Sequence, residues 1–437
     1  MKLIKSRPFY KGTQVKLFTM DNDLQVLLCC TPVSPVIAYQ TWFRVGSRHE
    51  KQGKLGIAHL FEHLMFNETK NLPHGVFDRT IEKEGGRTNA GTWVDWTYYQ
   101  NDLPSHALEL IIQLEAERME NLVLQKPQLE SEREVVLNER RLRVDDDIHG
   151  FISEQLFLLA FDKHPYRFPT IGFEEDIRSI NLEDAKQFYK TYYSPNNAHI
   201  VLVGDFDEEK ALSLIQKNYA HLAKQSLPSD IIPEEPAQQS YRRAVFSKPT
   251  ETDKVVLGYK IPGVLHEDHL ALEFLSDLLF GGAVSRFYRE FIIQKELLSS
   301  IASSVTPWKD PGLLEIGATL SKNRSAEEFE TEYQQSLYQF LKEGPLDSEI
   351  ERTKAAFLTQ FFCALRSCNQ KATSIGQYHA TWDDFEQLFE IENKIQNLTA
   401  SYLHDVAVRY FREENLSTIV VKPTDLKANT PQGYTHE

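Results

Sequence analysis

Apolar and polar positions change rhythm several times along the first half of the chain. The run "QVKLFTMDNDLQVLLCC" (14–30) predicts a hairpin turning at Asp21–Asn22–Asp23, and "PVIAYQTWFRVGS" (35–47) a further strand. An amphipathic helix follows in "GIAHLFEHLMFNE" (56–68). The stretch "GGRTNAGTWVDWTYYQNDLP" (85–104) is strand-like again, with Gly85–Gly86 at its start and Pro104 at its end. Apolar residues then recur every three or four positions through "HALELIIQLEAERMENLVL" and "QLESEREVVLNERRLRV", which predicts two long helices. Strands mixed with runs of helices predict an α+β fold, with helices packed on one face of a sheet.

The second half repeats the first. "DAKQFYKTYYSPNNAHIVLVGD" (184–205) resembles "YLHDVAVRYFREENLSTIVVKP" (402–423). Each is a helix ending in paired aromatics, then a turn with asparagine (Asn197 or Asn415), then a buried strand. Two homologous α/β domains of about 220 residues in tandem are implied, each a sheet covered by helices. The intervening segment 222–244 has linker composition, rich in Pro, Ser, Gln and charge, so the domains are expected at 1–221 and 245–437.

Composition narrows the function classes. The 437 residues are 41% hydrophobic and 25% charged, enough to bury sizeable cores in more than one domain. A net charge of -15 with no basic face argues against nucleic acid, whose phosphates would be repelled. Four cysteines are too few for a disulfide scaffold, and adjacent Cys29 and Cys30 should point to opposite faces of their strand. The N-terminus lacks an apolar signal-like core and no run reaches transmembrane length. No membrane association is expected; the cytoplasm is the default location, or the periplasm if a leader was removed.

Candidate chemistry concentrates in "HLFEH". On a helix His59 and His63 share a face one turn apart, with Glu62 beside them. Two imidazoles so placed can hold one Zn²⁺, but a catalytic zinc needs a third protein ligand and an open position. In "LESEREVVLNERRL", Glu132 and Glu139 are seven apart and lie on one helical face, and Glu139 falls 76 residues beyond His63.

With that spacing the sequence resembles the pitrilysin/insulinase family of inverted-motif zinc peptidases. The likeness continues through "TNAGTWVDWTYY", "KHPYRFPTIG" and "FYKTYYSPNNAHIVLVGDF", and in the second half through "LLFGGAVSRFYREF" and "SSVTPWKDPGLLEIGATL". The resemblance implies one Zn²⁺ per chain on His59, His63 and Glu139, Glu62 as general acid–base, and Glu132 orienting a histidine. It also implies that Asn89 and Ala90 lie on a strand whose edge pairs with an extended peptide substrate.

In one place the chain departs from the family. Single-chain members complete their site with an Arg and a Tyr seven apart in the second half. Aligned on "SRFYREFIIQKELLSSIAS", this chain has Ile292 and Ser299 there. The resemblance therefore implies a zinc-bearing subunit, half of a clam-shell chamber, whose homologous partner supplies the Arg/Tyr pair. A homodimer ranks lower, since it brings two zinc sites and no such pair. The alternative is a non-catalytic assembly or peptide-holding subunit of the same fold. Two further motifs carry no expected function: "HEDH" (266–269) reads as a solvated helix start, and "RVDDDIHG" as a solvated turn without the spacing of a calcium loop.

Overall fold

The computed structural model describes residues 1–9 and 12–424. Along the chain the strands are β1 (Lys2–Pro8), β2 (Gln14–Thr19), β3 (Gln25–Cys30), β4 (Val36–Phe43), β5 (Arg87–Thr92), β6 (Thr97–Pro104), β7 (Ala198–Gly204), β8 (Arg242–Lys248), β9 (Lys254–Ile261), β10 (Leu298–Val305), β11 (Gly312–Leu320) and β12 (Leu416–Pro423). The helices of the first half are α1 (Ile57–Leu64), α2 (Val76–Lys83), α3 (Leu108–Asn121), α4 (Lys126–Arg140), α5 (Ile148–Ala160), α6 (Glu174–Ser179), α7 (Leu182–Tyr192) and α8 (Glu208–Tyr219). Those of the second are α9 (His269–Phe280), α10 (Arg286–Tyr288), α11 (Ala326–Glu343), α12 (Asp347–Ala364), α13 (Cys368–Trp382), α14 (Gln387–Gln396) and α15 (Ala400–Tyr410). Among the described residues no helix is long and apolar enough to cross a membrane.

The strands form two sheets, ordered β1-β2-β3-β7-β4-β6-β5 and β10-β11-β9-β12-β8. Pairing is antiparallel except at β3–β7 and β8–β12. Read from those parallel pairs, β3-β7-β4-β6-β5 and β8-β12-β9-β11-β10 have the same order, so the internal repeat is a repeat of fold, to which β1 and β2 add a hairpin edge. The repeated segments become α7 with β7 and α15 with β12.

The compact units are not the continuous halves 1–221 and 245–437. One comprises Met1–Arg143, His164–Glu234 and Leu358–Lys394; the other comprises Val144–Lys163, Glu235–Phe357 and the described residues from Ile395 onward. Each unit thus takes a helix from the other half of the sequence: α13 packs on β4 and β7, and α5 on β8, β9 and β12. The repeat orders the elements but does not tell which sheet a helix covers.

Helix α13 also explains why β4 is buried almost throughout rather than alternately. Its Tyr39 and Phe43 face a core shared with α1, α3 and α7, while Ala38 and Trp42 face a second core holding Ala372 and Ile375 of α13. The first sheet is therefore covered on both faces, not one. Cys29 and Cys30 contribute to these opposite cores, as their adjacency requires. The segment 222–244 has no regular structure before β8, yet it is pinned. Asp230 pairs with buried Arg48 at 2.6 Å in the first unit, and Glu235 with Lys260 at 2.5 Å in the second.

Candidate metal centre

Helix α1 is short, and its first turn is held from outside. Gly56, at φ 89°, sits at its N-cap, and the Glu50 carboxylate accepts from Gly56 N–H and Ala58 N–H, each at 2.8 Å. This satisfies two of the backbone donors that a helix start leaves without an intrahelical partner. Burial dominates Glu50 and pushes its carboxyl up to about 8, against those two N–H groups. Leu60, Phe61 and Leu64 anchor α1 in the core, which turns His59, Glu62 and His63 toward α4. Leu129, Val136 and Leu137 bury α4 in turn, and it presents Glu132 and Glu139.

Three side chains converge. Glu139 Oε2 lies 3.7 Å from His59 Nε2 and 3.3 Å from His63 Nε2, and one ligand atom from each of the three falls within 4.8 Å of the others. Tetrahedral zinc with bonds of about 2.0–2.1 Å needs ligand atoms roughly 3.3 Å apart, so these donors fit that ion in kind, and the two distances to Glu139 lie close to that spacing. Their partners are in place as well. Glu132 Oε2 is 3.6 Å from His63 Nδ1, while its Oε1 accepts from Asn67 at 3.1 Å. The other oxygen of Glu139 pairs with Arg143 at 2.8 Å. Glu62 accepts from Thr92 Oγ1 at 2.6 Å, which fixes its carboxylate beside the cluster.

Electrostatics separate the two imidazoles. Burial pulls His59 down to about 4, against the attraction of Glu139. Burial also opposes charge on His63, but hydrogen bonds to Glu132 and Glu139 outweigh it and raise the ring to about 9. Glu62 is pushed up by burial, opposed by the Thr92 hydroxyl.

The structure brings five of the seven expected residues together: His59, Glu62, His63, Glu132 and Glu139. Asn89 and Ala90 lie on β5, which among the described residues pairs only with β6 and ends at Thr92, the partner of Glu62. Sequence reasoning missed Glu50, Asn67, Thr92 and Arg143. Asn67, Thr92 and Arg143 stand within stretches singled out above and Glu50 does not, but none has a spacing that marks it.

In the second unit Ser299 is exposed, its hydroxyl donating to the Thr319 carbonyl at 3.2 Å, and Ile292 lies in a wide helical turn over Arg289–Gln294. The "HEDH" stretch does begin a helix, with His266 and Glu267 exposed to solvent, but its second half turns inward. His269 and Asp268 are both buried, and Asp268 accepts from Tyr402 and Tyr410, each at 2.8 Å, and from Arg409. In "RVDDDIHG", Asp147 caps α5 by accepting from Gly150 N–H.

Residues 25–172 match the model of the insulinase family (peptidase family M16), and residues 179–357 that of the peptidase M16 inactive domain. The zinc protease PqqE of Helicobacter pylori is 34% identical over 413 residues, covering 93% of this chain and 92% of that protein. YmxG of Bacillus subtilis, described as an uncharacterized zinc protease, is 25% identical over 404 residues, covering 92% and 96%. A crystal structure of a protease from Helicobacter pylori superposes with a TM-score of 0.90 at 33% identity, covering 94% of this chain and all of that one. The family models over both halves, the 34% identical relative and the shared fold together show that the chain belongs to the M16, or insulinase, family of peptidases.

Proposed function

We propose that this chain is the zinc-bearing subunit of a metalloendopeptidase that cleaves short or unfolded peptides. The convergence of His59, His63 and Glu139 beside Glu62 carries this reading. His59 and His63 offer Nε2 and Glu139 offers Oε2. A zinc ion held by these atoms would supply Lewis acidity, which lowers the pKa of water to about 7. Glu62, oriented by Thr92, accepts the proton of the attacking water and returns it to the departing amine. Glu132 keeps His63 turned with Nε2 toward Glu139, a support of the kind that tunes many metal sites. The free edge of β5, with Asn89 and Ala90, pairs with an extended peptide backbone.

The Arg/Tyr pair comes from a homologous partner chain in a heterodimer. Ile292 has no polar donor, and the Ser299 hydroxyl is short and already bonded to Thr319, so neither stabilises a developing oxyanion. The test is cleavage of a quenched, unstructured peptide by the purified chain, with zinc content measured on the same sample. The expected result is about one zinc per chain with weak turnover alone. Glu62→Gln keeps the zinc and loses about 10²–10⁴ of the remaining rate. Strong turnover by the chain alone defeats the partner proposal. A zinc-loaded chain that binds the peptide without cutting it in any complex favours a peptide-holding subunit instead.

A further inference from the structure

The two helices of the candidate centre are also joined through a third piece of chain. Residues 171–180 run between the start of α1 and the side of α4 and bond to both. Toward α1, the Ser179 hydroxyl donates to the Gly53 carbonyl at 2.6 Å, and Lys54 Nζ donates to the Ser179 carbonyl at 2.6 Å. There Gly172 crosses Gly56 at backbone contact, with both residues at positive φ. A Cβ on Gly172 would meet the Leu55 carbonyl oxygen at 2.4 Å, and one on Gly56 would meet the Ile171 carbonyl oxygen at 2.5 Å. Toward α4, Arg140 donates to the Gly172 carbonyl at 2.7 Å and lies over the Phe173 ring, while Arg133 donates to the Ile180 carbonyl.

These arginines directly follow the two glutamates of α4: Glu132–Arg133 and Glu139–Arg140. The seven-residue spacing that puts both glutamates on one face therefore puts both arginines on the adjacent face, toward 171–180. The same two helical turns carry the acidic residues of the centre and the grips that locate them. Arg140 is buried, so its grip is shielded from competing water.

We propose that segment 171–180 is a spacer that sets the separation of Glu139 from His59 and His63, with Arg140 its principal positioning residue, while Glu50 positions the histidine side by holding the first turn of α1 through Gly56 and Ala58. The inference rests on the zinc reading above. A ligand pair held too far apart or askew loses affinity without unfolding, as supporting residues around metal sites commonly do.

The test compares zinc affinity, by chelator competition on the full chain, in wild type, Arg140→Gln, Arg140→Lys and Gly376→Ala. Gly376 lies in α13 against Trp42, away from the spacer, so its alanine variant loses stability without touching this strut. Urea unfolding of the zinc-free forms supplies the stability of each. Arg140→Gln is expected to weaken zinc binding about 10–100-fold. Arg140→Lys, which keeps the charge but not the planar fork, should recover part of that loss, and Glu50→Gln should give a smaller loss in the same direction. If Arg140→Gln does not fold, Arg140→Lys against Gly376→Ala makes the same comparison. Wild-type affinity in the Arg140 variants, or an equal loss in Gly376→Ala, overturns the spacer. A wild-type chain with no measurable zinc affinity overturns instead the functional reading on which it rests.

Discussion

The two sheets share five strands in the same order, with two helices between the second and third of them along the chain and five before the last. Their first helices are alike in burial and differ in what their polar residues do. In the first unit, α1 buries Ile57, Ala58, His59, Leu60, Phe61 and Leu64 and turns His59, Glu62 and His63 toward the glutamates of α4. In the second, α9 stands at the same place between β9 and β10 and is likewise buried nearly all round, by Ala271, Leu272, Phe274, Leu275, Leu278 and Leu279. Its histidine, His269, bonds the Pro262 carbonyl, and Asp268 is consumed by two tyrosines and an arginine. Among the described residues, metal-type side chains converge only in the first unit. One architecture thus spends its polar groups on cohesion in one copy and on a reactive cluster in the other, and the fold alone does not tell which.

The largest effect that sharpens this contrast is loss of metal. His63→Ala should lower bound zinc from about one per chain to near none, whereas His269→Ala should leave zinc content unchanged and only lower stability. Elemental analysis of purified protein, with urea unfolding alongside, checks both. Zinc loss in the His269 variant would break the division of labour between the units.

The next effect separates the units by pH. Where α13 meets β7, burial holds His379 of the helix down to about 3 and His199 of the strand well below its ordinary value, with the Arg44 charge acting the same way on both. The unfolded chain therefore binds more protons there below pH 6.5. Their contribution to stability is complete above 6.5 and is lost as pH falls toward 3, by at most roughly 1.4 kcal/mol per pH unit for each ring. In the second unit, burial raises Glu315 to about 7, at a cavity of about 280 Å³ lined also by His149, Ser153 and Gly317. Here the native state binds the extra proton, so stability falls as pH rises from 4.5 to about 7. Urea midpoints across pH should show a shallower acid slope for His379→Gln and a flatter rise-to-neutral slope for Glu315→Gln. Identical profiles for wild type and both variants would remove this difference.

The smallest effect concerns the helices that each sheet takes from the other half of the sequence. Gly376 of α13 sits so close to Trp42 that a Cβ would meet Nε1 at 2.3 Å, and the indole is fully buried. Gly376→Ala should cost about 1–3 kcal/mol in urea unfolding. At the matching interface of the second unit, a Cβ on Gly258 meets only the Leu156 methyls of α5, at 3.1 Å. Those can turn aside, so Gly258→Ala should cost less than about 1 kcal/mol. Equal losses would show that both helices are seated with the same tightness.

Much of the site was legible because it lies on helices. His59, Glu62 and His63 are one turn apart, and Glu132 and Glu139 two turns, so the helical period alone puts each set on one face. The hairpin at Asp21–Asp23 and the strand–helix repeats were legible for the same reason, a local period with punctuating turn residues. What escaped was contributed across long separations. Thr92 meets Glu62 over 30 residues, and Arg140 meets Gly172 over 32. Glu50 is nearer, but nothing in its neighbourhood marks a carboxylate aimed at a helix start.

The sequence by itself determined the element types, the two-fold repeat and the His/Glu spacing that carries the family resemblance, because these depend on periodicity within single elements. Only the tertiary structure decided that α5 and α13 belong to the sheets of opposite halves, that the second half of "HEDH" is buried structural chemistry, and that 171–180 holds the two helices of the centre together. Those outcomes depend on which surfaces meet, and contacts between segments far apart in the chain leave no period in the sequence to be read.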